Sequence, residues 1–135
     1  MKKNEIIRKI FQLRTIAVVG FSPKKVRPSH YVSAYMRNNG YNIIPVNPGH
    51  NFIEGIRCYP NLESIREDVD IINIFRRSEF VPDIVRSAIM IKSKAIWMQD
   101  SVFHDKAAKD AKDAGLMVVM DDCILRQHKR ITGVA

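Results

Sequence analysis

Cysteine is scarce: Cys58 and Cys123 are the only two in 135 residues, far apart and in no metal-like spacing. That argues against a disulfide framework. The four histidines, His30, His50, His104 and His128, form no HxxxH-type pair, so a structural zinc site has little support. No apolar run approaches the roughly 18–20 residues that span a bilayer. The segment MKKNEIIRKIFQL is interrupted by Asn4, Glu5, Arg8 and Lys9, so it lacks the continuous apolar centre of a signal peptide. Its residues Ile6, Ile7, Ile10, Phe11 and Leu13 suit a short amphipathic helix, and the expected location is cytoplasmic. Low-complexity stretches, repeats and linkers are also missing, so one domain is expected over residues 1–135.

What is present is a large apolar share, 46% of residues, and a formal charge of +8. The first supports a packed core, and the second a surface that attracts anions such as a polyphosphate cofactor, nucleic acid or an acidic membrane. Short β-branched runs alternate with helical patterns, which predicts βαβ units around a parallel sheet. Five strands are expected: Thr15–Val19, Asn42–Val46, Val69–Phe75, Ala95–Met98 and Leu116–Met120. The first reads as continuously apolar, as a strand buried on both faces should. Pro45 has no N–H to donate, so the second strand ends there or pairs incompletely.

Between the strands, Ser29 suits a helix cap, with Tyr31, Tyr35 and Met36 on the inner face and Gly40 at the stop. Asn61 suits the cap of a brief helix, and Pro82 the first position of another. Residues 103–114 and 123–130 read as two more helices. The expected fold is α/β, a three-layer Rossmann-like domain with a five-stranded parallel sheet in the order 3-2-1-4-5; a flavodoxin-like order is the alternative.

In such sheets ligands bind beyond the carboxyl ends of the strands, at the switch in strand order. The loop Gly20-Phe21-Ser22-Pro23-Lys24-Lys25-Val26-Arg27-Pro28-Ser29 lies there, and Arg76-Arg77 falls at the same edge. It offers a tight turn, hydroxyls, cations and a helix N-terminus, all suited to phosphate. It matches neither GxGxxG nor GxxxxGK[ST], which weakens ordinary dinucleotide or P-loop readings.

The segments VVGFSPKKVRPSHYVSAYM, GYNIIPVNP, VDIINIFRRSEFVPDIV, AIWMQDSV and AGLMVVMDDCI, taken in order, resemble the successive motifs of the CoA-binding domain family, similar to the CoA-binding portion of succinyl-CoA synthetase. The resemblance runs from about Thr15 to Arg130. It implies non-covalent binding of coenzyme A or an acyl-CoA. Gly20, Ser22 and the Pro28-Ser29 helix start would contact the pyrophosphate, with Phe21 also in the cofactor-binding set. Lys24, Lys25 or Arg27 would neutralise the phosphates. Val46, Asn47 and Pro48 would border the nucleotide. Phe75, Arg76, Val81 and Pro82 would flank the adenosine or the pantetheine arm, with Gln99 near the switch point. The chain departs from the family pattern twice. Asp100-Ser101 follows Gln99 where a glycine is usual, and Asp122 replaces the usual basic residue of the last strand's MDxC motif.

No residue set forms a credible triad. Cys123 sits beside two carboxylates that oppose thiolate formation and reads as structural. Asp121 and Asp122 alternate faces on an extended segment, His128 reads as part of a solvated terminal face, and Trp97 as core or pocket wall. A non-catalytic regulatory or carrier module is therefore expected, with a small nucleotide ligand and neither a membrane nor nucleic acid as partner. Apolar helix faces leave room for a homodimer. The alternative is an NAD(P)-binding oxidoreductase or redox-sensing protein, although the glycine fingerprint and an acidic ribose partner are both missing.

Overall fold

A computed structural model describes residues 1–133; residues 134 and 135 lie outside that description. Helix α1 (Lys3–Phe11) leads into β1 (Thr15–Val19), α2 (Pro28–Asn38) and β2 (Asn42–Val46). A small hairpin, β3 (Phe52–Ile53) with β4 (Ile56–Arg57), and a 3₁₀ turn at Leu62–Ser64 come next. The chain then runs through β5 (Ile71–Ile74), α3 (Val81–Met90), β6 (Ala95–Met98), α4 (Asp105–Asp113), β7 (Met117–Val119) and α5 (Ile124–Thr132). The expected parallel α/β sheet is present, with every strand pair parallel.

The strand order is β2-β1-β5-β6-β7. Counting only the five sheet strands, that is 2-1-3-4-5 rather than the expected 3-2-1-4-5, so the flavodoxin-like alternative is correct. Pro45 supplies a physical reason. A proline in mid-strand belongs at an edge, and the expected order would have buried β2 between two neighbours. Pro45 instead pairs with Val18 on one side only. On its outer side the backbone of Tyr59 closes the gap, donating to the Pro45 carbonyl (3.0 Å) and accepting from the Asn47 N–H (2.9 Å).

Each sheet face carries its own core. Ala17, Val19, Ile72, Ile74, Ile96 and Met98 pack towards α3 and α4. Ile16, Val18, Ile71 and Trp97 pack with residues of α1, α2 and α5. Trp97 is fully buried; its Nε1–H donates to the Asp122 carbonyl (2.9 Å) and its ring stacks on Phe11 at 5.8 Å. His128 is buried among the rings of Phe11, Tyr35 and Tyr41, not on a solvated face, and it shares a 2.8 Å hydrogen bond with the Tyr35 hydroxyl. Burial holds its imidazole below the ordinary range. Tyr31, expected on the inner face, is half exposed. Asn61 caps the 3₁₀ turn as expected, through the Ser64 N–H (2.9 Å).

The amino-terminal edge of the sheet is tied by one carboxylate. Asp70 accepts the N–H groups of Arg14 and Thr15, each at 3.0 Å, and pairs with Lys94 at 3.3 Å. Its carbonyl accepts from Lys94 and Ala95. Desolvation pushes the Asp70 pKa up, but those two N–H donors and Lys94 outweigh it and leave the pKa below the usual value. A carboxyl depressed in the folded state stabilises it above the unfolded pKa of about 3.9, and that contribution is lost as pH falls through the folded value. Asp70→Ala is accordingly expected to cost about 2 kcal/mol at pH 7. In urea denaturation the gap from the parent protein should close below pH 4; a gap independent of pH would refute the carboxylate's role.

Candidate functional site

The switch in strand order lies between β1 and β5, whose outgoing loops part in opposite directions. Gly20 ends β1 with φ +88°, and a Cβ there would sit 2.5 Å from the Phe75 carbonyl oxygen at the end of β5. Only glycine lets the two chains come this close before they diverge. Three adjoining cavities open along this edge.

The central cavity, of about 330 Å³, is lined by Gly20, Ser22, Lys24, Arg27, Pro28, Ser29 and Phe75. Its loop is held by its own hydroxyls. Ser22 N–H donates to Ser29 Oγ (2.9 Å), and Lys24 N–H to Ser22 Oγ (3.1 Å). Ser29 therefore fastens the loop instead of capping α2, whose cap residue is Arg27. His30, buried beneath, bonds the Ser22 carbonyl through Nδ1 (3.0 Å) and meets Glu54 at 3.3 Å. Lys24 and Arg27 have no carboxylate partner among the described residues, whereas Lys25 leans towards Glu54 at 4.0 Å.

On one side lies a cavity of about 190 Å³, walled by Val19, Val46, Pro48, Pro60, Leu62 and Ile84, with Arg76 and Asp83 at its rim. On the other side is a cavity of about 420 Å³ lined by Pro28, Tyr31, Val32, Phe75, Arg76, Gln99, Val102 and Cys123, among others. Arg76 borders both and rests on the Phe80 ring, 4.4 Å from its centre. Gln99, 3% exposed, donates through Nε2 to Asn73 Oδ1 at 2.6 Å.

The structure thus brings together Gly20, Ser22, Lys24, Arg27, Pro28, Ser29, Val46, Pro48, Phe75, Arg76 and Gln99. It does not bring all sixteen expected residues to the cleft. The side chains of Phe21 and Val81 are buried in the two cores. Asn47 is occupied in the loop, donating to the Phe21 carbonyl and accepting from the Gly49 N–H, both at 2.9 Å. Lys25 and Pro82 line none of the three cavities. Sequence reading missed Tyr31 and Val32 as walls, although they follow Pro28 by one helical turn. Leu62 and Ile84 come from distant segments that no local pattern joins.

The two departures at the mouth are both accommodated. Ser101 takes φ +69°, a conformation suited to the glycine usual near this point, and its N–H donates to Asp121 Oδ1 at 2.7 Å. Arg126 grips Asp100 with both terminal nitrogens (2.8 and 3.1 Å) and reaches Asp122 at 2.9 Å. Asp122 also meets Lys3 (2.8 Å), Gln127 (2.8 Å) and the Cys123 N–H (2.8 Å). Burial raises its pKa, yet Lys3 and these N–H donors hold it below the usual carboxylate range. Two cations balance the two carboxylates, Asp100 and Asp122.

Residues 14–129 match the family model described as CoA binding domain. The chain belongs to the CoA binding domain family. The chain is 36% identical over 126 residues, 93% of each chain, to Uncharacterized protein YneT of Bacillus subtilis. The fold closely matches that of a hypothetical protein from Pyrococcus horikoshii OT3, with a TM-score of 0.90 and 31% identity over 96% of this chain and 92% of that one. It is also 27% identical over 108 residues to Acetate--CoA ligase [ADP-forming] II of Archaeoglobus fulgidus; those cover 78% of this chain but 16% of the ligase.

Gly20 can be tested against another left-handed glycine. Gly115 has φ +92° but open space where a Cβ would go. Gly115→Ala should cost about 1 kcal/mol, the price of the conformation alone. Gly20→Ala should lose at least about 1 kcal/mol more, as the added methyl meets a backbone oxygen that cannot rotate away. Equal losses in guanidinium denaturation would show that the close approach is not tight.

Proposed function

We propose that the protein binds coenzyme A or an acyl-CoA without transforming it, as a regulatory or carrier module of the cytoplasm. The observation that carries this reading is the arrangement of the cleft: a cationic seat with two more apolar chambers on either side. Coenzyme A has the matching order of parts, an adenosine, a run of phosphates and a long, weakly polar pantetheine arm. Lys24, Arg27 and the α2 N-terminus suit the pyrophosphate, with Arg76 at the junction of the flanking chambers. The smaller chamber, with Val46, Pro48 and Leu62, suits the adenine; the larger, with Phe75 and Gln99, suits the pantetheine. Among the described residues that line the three cavities, no acid–base pair or nucleophile–base contact stands, which favours binding over catalysis.

An NAD(P)-binding oxidoreductase is the competing reading. It would need a carboxylate at the end of β2 for the ribose hydroxyls. Asn47 stands there, its amide already spent on Phe21 and Gly49.

Calorimetric titration with CoA, acetyl-CoA, NAD⁺ and NADP⁺ at two salt concentrations tests the proposal. CoA and acetyl-CoA should bind, more weakly at higher salt. Lys24→Ala and Arg27→Ala should each weaken CoA by about tenfold, the loss of one charge-assisted contact, whereas Lys25→Ala should change it by less than about twofold. Preference for NADP⁺, or no CoA binding at all, would overturn the reading.

A further inference from the structure

Cys123 was expected to be structural because carboxylates surround it. In the fold Asp122 is neutralised by Lys3 and Arg126, and Cys123, packed on one side against the core, also faces a cavity. It occupies the N-cap of α5, a helix of nine residues, yet its side chain makes no capping hydrogen bond. It is half-buried, unpaired with Cys58, and lines the 420 Å³ cavity. Arg126 follows it by three residues on the same helix.

A second side chain marks the same cavity as a ligand site. Gln99 is 97% buried by its 3% exposure, and only its Nε2 is engaged, with Asn73. Its Oε1 has no hydrogen-bond partner. Among the described residues no fully enclosed side-chain polar atom lacks one, so Gln99 Oε1 must touch open space, and the cavity it lines supplies that space. A buried acceptor left open to a cavity is matched by a ligand N–H. An arm built of amides and ending in a thiol would supply that donor and then present its sulfur near Cys123.

We propose that Cys123 is a thiol–disulfide exchange site for coenzyme A, holding it as a protein–CoA mixed disulfide. This rests on the reading of the cleft as a CoA site. The co-reactant is a CoA disulfide. The Cys123 thiolate attacks one sulfur of that disulfide; the Cys123–S to S–CoA bond forms as the original S–S bond breaks, and the second CoA leaves as a thiolate that takes up a proton from water. No net oxidation occurs: the disulfide is passed on to the protein. A reducing dithiol reverses the step. Cys58 is unsuited to this role, because it is buried, its thiol is pushed up by that burial, and its sulfur donates to the Asn47 carbonyl at 3.5 Å.

The test incubates the full chain with CoA disulfide or, at equal concentration, oxidised glutathione, and follows intact mass and peptide mapping. One CoA adduct is expected, on Cys123, forming at least about tenfold faster than the glutathione adduct because binding raises the local concentration. It should persist in Cys58→Ser, vanish in Cys123→Ser, slow under excess acetyl-CoA, whose sulfur is blocked, and disappear with dithiothreitol. An adduct on Cys58, equal rates for the two disulfides, or indifference to acetyl-CoA would overturn the proposal. Calorimetric binding of reduced CoA by the parent protein without any adduct would overturn it while leaving the CoA reading intact. Neither binding nor adduct would bring down both.

Discussion

The contact of Gly20 with the Phe75 carbonyl governs the functional end of the molecule. β1 and β5 are neighbours in the middle of the sheet, and their carboxyl ends stay together until this point. The chain after Gly20 then turns towards α2, while the chain after Phe75 turns towards α3. The space left between the two turns is the cleft. The loop from Gly20 to Ser29 can be short and well fixed because its start is set by a backbone that no side chain props open. Its hydroxyls then complete the job: Ser29 holds Ser22, and Ser22 holds Lys24. Local covalent geometry, sheet order and ligand chemistry meet at a single residue without a side chain.

Charge follows the same division. At the central cavity the cations are left unpaired, and the loop presents them to whatever fills the space. At the far end of the larger cavity the opposite holds, since Arg126, Lys3, Asp100 and Asp122 satisfy one another. One end of the cleft therefore suits an anion, while the other is electrically quiet and can accept a neutral arm. A net charge of +8 does not convey this, because it sums over both ends.

Much of the fold was legible in the sequence. Continuous apolar runs such as Ala95–Met98 have few alternatives to a buried parallel strand, and Gly20, Gly40 and Gly115 punctuate them. Strand order was less so. Pro45 held the relevant clue, yet an edge position is a property of neighbours, not of the strand itself. The β3–β4 hairpin escaped because two-residue strands have no periodicity to detect. His128 was misread because Arg126, Lys129 and Arg130 surround it in sequence, although it follows the buried Ile124 by four residues and shares its helix face. The balance of charge at Asp100 and Asp122 was hidden for a related reason. Their compensating partners, Lys3 and Arg126, are remote from at least one of them along the chain, and neighbouring letters alone report the repulsion without its relief.

The proline edge has an effect on how copies of this protein can meet. A sheet normally grows by offering a row of free N–H and C=O groups to an incoming strand. At β2 that row is broken by a residue with no N–H and then covered by the main chain around Tyr59. Continuation of the sheet across this margin into a neighbouring molecule is blocked before any side chain is considered. The protein carries its own stop against ribbon-like aggregation on that flank.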